Sequence, residues 1–194
     1  TFTISEDDAG PSLSVDDISV TEANTTATFT VSMSPASASS VTVDFATTSS
    51  NAVSSDYTST SGSLTFSAGE TSKSVNVSVL EDTLDEANET VTLTLSNASG
   101  ATISDDTGTL TINDDDDEPS LSINDVTVAE SAGTGTLRVS LSTASGKGVS
   151  FSYAITGGTA TSGSDYTTTS GSYTISAGDT YQDIAVSITD DSAE

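Results

Sequence analysis

Short runs in which apolar and polar residues alternate recur along the whole chain. In one run Phe29, Val31 and Met33 are separated by Thr and Ser, and further runs repeat this pattern. A period of two places successive side chains on opposite faces of a β-strand, so each run predicts a strand with one apolar face. Seven strands are expected in one stretch of the chain: 13–21 (with a break at Asp16-Asp17), 27–34, 41–46, 62–66, 74–80, 89–96 and 108–112.

Strands with a single apolar face favour two sheets that pack against each other. Seven short strands in about a hundred residues are typical of an immunoglobulin-like sandwich. We therefore predict an all-β fold, an immunoglobulin-like seven-stranded antiparallel sandwich. The Cys and Trp signature of antibody domains is absent, because the chain contains neither residue.

The sequence contains an internal repeat. The segment PSLSVDDI that begins at Pro11 returns as PSLSINDV from Pro119, an offset of 108 residues, and SGSLTFSAG at 61–69 returns as SGSYTISAG at 170–178. A period of this size predicts a tandem repeat in which each copy is one domain.

The register of the repeat predicts the module boundaries. The segment TLTIN at 109–113 resembles TFTIS at 1–5, so 1–10 is expected to be the last strand and linker of a preceding repeat. Residues 11–118 form a complete module, and 119–194 form a second module that lacks the last two strands. An open sandwich exposes a strand edge. Intermolecular strand pairing at the second module, for example with 1–5 of another molecule, is therefore a further prediction.

Charge and composition exclude several functions. The net charge is −26, from 29 acidic against 3 basic residues, so nucleic acid is not expected as a partner. The chain has no His, which removes the commonest general base, and we do not predict an enzyme. No apolar run approaches the ~20 residues that a membrane-spanning helix requires.

The acidic residues gather outside the strands, in two runs at 81–89 and 114–118. One run precedes the sixth predicted strand and the other follows the seventh, so antiparallel pairing would bring both to one end of the sandwich. Two carboxylates at ~4 Å repel each other by roughly 4 kcal/mol at an effective dielectric constant of about 20. With only three cationic side chains available, a hard divalent cation is expected to offset this repulsion, and calcium accepts more carboxylate ligands than magnesium. Simple solvation of the acidic runs is the alternative.

The same segments resemble the Calx-β domain family, known from sodium–calcium exchangers, an integrin β subunit and large bacterial surface proteins. The resemblance covers essentially the whole chain. It is carried by VTE at 20–22, SDY at 55–57, GSLTF at 62–66 with AGET at 68–71, the first acidic run leading into TVTLTL at 90–95, and GTLTINDDD at 108–116.

This resemblance implies calcium ligands at one tip of the sandwich, beside the linker to the next module. In the first module the implied ligands are the side chains of Glu22, Asp56, Glu81, Asp82, Glu86, Glu89, Asp114, Asp115 and Asp116 and the carbonyl of Leu84. The charge argument would add Asp85, which the resemblance leaves as a bystander. In the second module the matched positions are Glu130, Asp165, Asp190, Asp191 and the carbonyl of Ala193.

We therefore expect a calcium-binding structural or adhesive module in a secreted, extracellular or cell-surface repeat array. Calcium would rigidify the module tip and the linker, and the partners would be calcium ions and neighbouring repeats. The alternatives are a calcium-sensing regulatory domain and an adhesin surface that binds a ligand through outward Thr rows. Calcium affinity separates a sensor, at ~10⁻⁷–10⁻⁵ M, from an extracellular module, at ~10⁻⁴–10⁻³ M.

Overall fold

The structure of the chain is a computed structural model that describes residues 2, 9–167 and 169–190. It divides into two compact units: Thr1–Asp82 with Asn88–Asp115, and Thr83–Ala87 with Asp116–Glu194. This division follows contacts rather than the sequence repeat, so the module boundaries expected above stay predictions. Within the described part of the chain, no helix is long and apolar enough to span a bilayer.

The first unit consists of strands. They are β1 (Ser12–Val15), β2 (Ile18–Thr21), β3 (Thr26–Ser34), β4 (Val41–Ser49), β5 (Tyr57–Thr58), β6 (Ser61–Phe66), β7 (Ser72–Val79), β8 (Glu89–Ser99), β9 (Thr102–Ile103) and β10 (Thr107–Asn113). All predicted strands are present, with bounds that shift by at most three residues. The alternation did not predict β5 and β9, because two residues are too short to show a period.

Two five-stranded sheets form the first unit, in the orders β5-β7-β3-β1-β9 and β2-β10-β8-β4-β6. The predicted all-β sandwich is thereby confirmed. Most neighbouring strands are antiparallel, but β1 pairs with β9, and β10 with β2, in parallel.

The predicted strand 13–21 is interrupted at Asp16-Asp17, as expected, and its two halves join different sheets. The side chains at the break explain this crossing. Asp16 Oδ1 accepts a hydrogen bond from Thr30 N at 2.6 Å, and Asp17 Oδ1 accepts one from Thr109 N at 2.7 Å. Each carboxylate thus binds a backbone N–H of the sheet on its own side of the break.

The core of the first unit lies between the inner faces of the two sheets. The inward residues predicted from the alternation are buried, including Phe29, Val77 and Leu93, all fully inaccessible. Burying one such side chain contributes about 1.5–3 kcal/mol. Phe45 is partly exposed, and its ring lies over Gly62, where a Cβ atom would meet the ring at 3.0 Å.

The second unit contains β11 (Leu121–Ile123), a 3₁₀ helix (Glu130–Ala132), β12 (Thr134–Leu141), β13 (Val149–Ala154), β14 (Ser170–Ile175) and β15 (Tyr181–Ser187). Strands β11, β12 and β15 form one sheet, and β13 pairs with β14. Val126 and Val128 match the inward residues of β2 but lie outside any strand. In the first unit β2 is paired to β10, and the described part of the second unit contains no counterpart of β10.

An open groove of about 760 Å³ runs along the second unit and is lined by Val126, Val128 and Ile188, among others. Val186 also lines the groove, yet it is only 8% exposed, so the two strands that the repeat register predicts to be missing do not leave this residue accessible. The predicted intermolecular strand pairing is untested and stays a prediction. Of the proposed occupant 1–5, all but Phe2 lie outside the described residues.

Candidate metal centre

The two acidic runs meet at one end of the first unit, as expected. Strand β8 begins where the antiparallel β10 ends, and Asn88 joins the two segments. Its Nδ2 donates to Asn113 Oδ1 at 3.0 Å, and its Oδ1 accepts a hydrogen bond from Asp114 N at 3.3 Å. Because β2 runs parallel to β10, Glu22 also reaches this end, where its backbone N donates to Asn113 O at 3.1 Å.

One carboxylate group consists of Glu22, Asp82 and Asp116. Each contributes an oxygen, and the three oxygens lie within 4.8 Å of one another. Glu22 follows β2, Asp82 lies in the run after β7, and Asp116 follows β10 by three residues. Glu22 is only 4% exposed, so solvent screens its charge poorly.

A second group consists of Asp56, Glu86 and Glu89, with the same spacing of at most 4.8 Å. Asp56 is 3% exposed and sits in the turn before β5. Its carbonyl accepts a hydrogen bond from Leu80 N at 2.8 Å, which ties the turn to the start of the acidic run. Burial raises the pKa of Asp56, but hydrogen bonds with Glu89, Ser55 and Val53 together hold that pKa below its ordinary value.

The donor chemistry of both groups fits a hard cation. Every candidate ligand atom is a carboxylate oxygen, and the chain contains no Cys or His that would favour a softer transition metal. One oxygen of Asp114 is also buried without a hydrogen-bond partner among the described residues. A buried carboxylate oxygen without a donor is costly unless a cation is nearby.

The remaining predicted ligands of the first module belong to neither group. Glu81 and Asp115 are exposed, whereas Leu84 and Asp114 are partly buried. In the second unit Glu130 begins the 3₁₀ helix, Asp165 Oδ2 accepts a hydrogen bond from Thr161 N at 2.6 Å, and Asp190 is exposed.

Within the described part of the chain, Glu130, Asp165 and Asp190 belong to no cluster of three carboxylates like the two groups above. Asp191 and Ala193 lie outside the described residues. All these ligand roles stay predictions.

Sequence reasoning missed the role of Asp85, which is 4% exposed and pairs with Lys147 at 2.5 Å. One of the three cationic side chains thus offsets charge in the first acidic run, where only a divalent cation was expected to do so. A signal was present in the sequence, because Gly146 and Lys147 stand where the first repeat has Ala38 and Ser39.

Comparison with known protein families and solved structures shows which proteins share this architecture. The sequence profile described as the Calx-beta domain matches residues 6–116 and 113–194. No curated protein matches the chain. Among solved structures, the apo-form Calx CBD1 domain is similar at 20% identity and a TM-score of 0.53, with 56% of this chain and 100% of that chain covered.

Two tandem structures cover more of the chain. CBD12 from CALX1.2 is 21% identical with a TM-score of 0.53, over 94% of this chain and 76% of the other. The calcium binding domain CBD12 of CALX1.1 is 19% identical with a TM-score of 0.52, over 89% and 74%. At such identities these structures support the fold alone. Since the two profile matches span nearly all residues, the chain belongs to the Calx-beta domain family, of which it carries two tandem repeats.

Proposed function

We propose that the acidic end of the first repeat binds calcium. The observation that carries this proposal is the convergence of six carboxylates in two groups, together with a buried Asp114 oxygen that has no hydrogen-bond donor among the described residues. Glu22, Asp82 and Asp116 would hold one ion, and Asp56, Glu86 and Glu89 another. A bound divalent cation supplies positive charge that offsets the repulsion within each group. A similar structure, CBD12 of CALX1.1, is described as a calcium binding domain.

Replacing Asp56 by Asn is expected to weaken calcium binding at least about tenfold, which corresponds to about 1.4 kcal/mol. The substitution keeps the shape of the side chain but removes the charge of a carboxylate that is 3% exposed. Calorimetric titration of the full chain with calcium measures the affinity. Asp106→Asn is the matched control, because Asp106 is exposed and lies before β10, at the opposite strand end from the acidic groups. Equal affinities for the two variants would contradict the assignment of Asp56.

The proposal includes a structural role in a repeat array. Asp114 and Asp116 begin the connection to the second repeat, and Asp116 is a member of the first carboxylate group. A cation held there would limit bending of the chain at the linker. The location outside the cell or at its surface is part of the same proposal, and it rests on the resemblance to large surface proteins.

Calcium is expected to narrow the distribution of interatomic distances that small-angle scattering measures on the full chain. A linker that shares a cation with Glu22 and Asp82 has fewer accessible conformations than a free one. Replacing Asp114, Asp115 and Asp116 by Asn should abolish the narrowing. A triple variant that still narrows with calcium would show that these residues are not ligands.

A calcium-sensing role is the other candidate, and the titration also separates the two. A dissociation constant of ~10⁻⁴–10⁻³ M supports a structural module, whereas ~10⁻⁷–10⁻⁵ M supports a sensor. The adhesive use of the outward Thr rows stays a prediction.

A further inference from the structure

The loop Thr83–Ala87 joins β7 to β8 and carries the candidate ligand Glu86, yet it groups with the second compact unit. We propose that Ser145, Gly146 and Lys147 are positioning residues for calcium binding, because they fix the conformation of this loop and thereby the carboxylate of Glu86. This inference rests on the proposed function and deepens it.

The backbone of the loop is held at Asp85. Asp85 and Ser145 form an isolated parallel β-bridge, and Gly146 N donates to Asp85 O at 3.1 Å. Ser145 Oγ donates to the same carbonyl at 3.0 Å. Ser145 is 1% exposed, so water competes little for these hydrogen bonds.

The side chain of Asp85 is held as firmly as its backbone. Its Oδ1 pairs with Lys147 Nζ at 2.5 Å, and its Oδ2, 3.1 Å from Ser145 Oγ, shares the single hydroxyl hydrogen of Ser145 with the Asp85 carbonyl. Both carboxylate oxygens of Asp85 therefore already have partners. This residue acts as an anchor for the loop rather than as a further calcium ligand.

The next residue, Glu86, is positioned by two contacts with the same segment. Lys147 Nζ donates to the carbonyl of Glu86 at 3.3 Å. The side chain of Glu86 lies directly against Gly146, where an added Cβ atom would overlap with Glu86 Oε1 and Cγ. Only glycine leaves room for Glu86 in this orientation.

The anchor is specific to the second repeat. The first repeat has Ala38 and Ser39 in place of Gly146 and Lys147. The other two cations of the chain are paired elsewhere, Lys73 with Glu70 and Arg138 with Asp183. Of the three cationic side chains, Lys147 is therefore the one that pairs with the loop Thr83–Ala87.

A role of Lys147 through its positive charge and a role in positioning Glu86 predict opposite effects on calcium affinity when Lys147 is replaced. If Lys147 acted only through its positive charge, its removal would strengthen the binding of a cation by the nearby carboxylates. If it positions Glu86, its removal weakens binding. Groups that orient metal ligands without touching the metal typically change affinity by about 10–100-fold.

The test is calorimetric calcium titration of the full chain with Lys147→Met, Lys147→Arg and the matched control Lys73→Met. We expect an affinity about tenfold weaker for Lys147→Met, substantial rescue by Lys147→Arg, and no loss for Lys73→Met. Gly146→Ala changes no charge and should also weaken binding, because its methyl group displaces Glu86. Thermal melting in EDTA identifies the variants that are folded.

Unchanged or tighter binding by folded Lys147→Met or Gly146→Ala would overturn the inference. Should Lys147→Met fail to fold, Gly146→Ala and Ser145→Ala decide by the same criterion. Absence of calcium binding by the unsubstituted chain would instead overturn the proposed function. The two failures are therefore distinguishable.

Discussion

Millimolar calcium is expected to raise the midpoint of thermal unfolding of the first unit well above its value in EDTA. A ligand that binds only the folded state adds about 1.4 kcal/mol at a tenfold excess over its dissociation constant, which millimolar calcium provides for a constant of ~10⁻⁴ M. For a unit of about a hundred residues this corresponds to a shift of roughly 6–11 °C. The carboxylates of Glu22 and Asp56 are buried only in the folded unit, so the preference for that state has a structural origin.

Differential scanning calorimetry measures this shift, and amide hydrogen exchange assigns it to the strands beside the acidic end. Magnesium at the same concentration is the control. It requires strict octahedral geometry and retains water, so its effect should be smaller. A double variant, Glu22→Gln with Asp56→Asn, removes one carboxylate from each group and should lose most of the calcium-dependent shift. Equal midpoints in EDTA and in calcium would refute the proposal.

Replacement of Phe29 by Ala is expected to destabilise the first unit by about 3–5 kcal/mol. The ring is fully buried between the sheets, on β3, so its removal leaves a cavity and forfeits its burial. Such a loss is a large fraction of the stability of an ordinary domain. Hydrogen exchange of the β3 and β7 amides, which pair in antiparallel register, measures the change for this unit alone.

Phe2→Ala provides the matched control, because Phe2 is 93% exposed. The same substitution there removes no buried surface, and the exchange of β3 amides should be unchanged. Equal protection of the β3 amides from hydrogen exchange in Phe29→Ala and Phe2→Ala would show that Phe29 does not support the core as described.

The alternation of apolar and polar residues was sufficient to predict the long strands and the core. Val75, Val77 and Val79 alternate with Ser and Asn, and all three are buried on β7. Pairing could not be predicted in the same way, because register and direction depend on residues distant in sequence. The parallel pairing of β2 with β10, which are about ninety residues apart in sequence, is one pairing that the alternation did not predict.

The candidate site was predictable in composition but not in arrangement. The acidic runs and the family resemblance selected all six residues of the two carboxylate groups. The division into two groups depends on the loop conformations that bring Asp82 to Glu22 and Glu86 to Asp56. The anchoring of Asp85 was not predicted, because its partner Lys147 lies about sixty residues away in the other repeat.

The parallel pairing of β2 with β10 also determines how the first repeat bears tension. Residues 18–21 pair with 110–113, so strands close to the two ends of the repeat lie side by side and point the same way. A pull on residues 11 and 114 in opposite directions loads the hydrogen bonds between these strands together, in shear, rather than one after another. Glu22 follows β2 directly and Asp116 follows β10 by three residues, so the proposed cation would tie the two strands at the end where the load enters β10. In a string of such repeats, the acidic end would then resist mechanical extension as well as bind a cation.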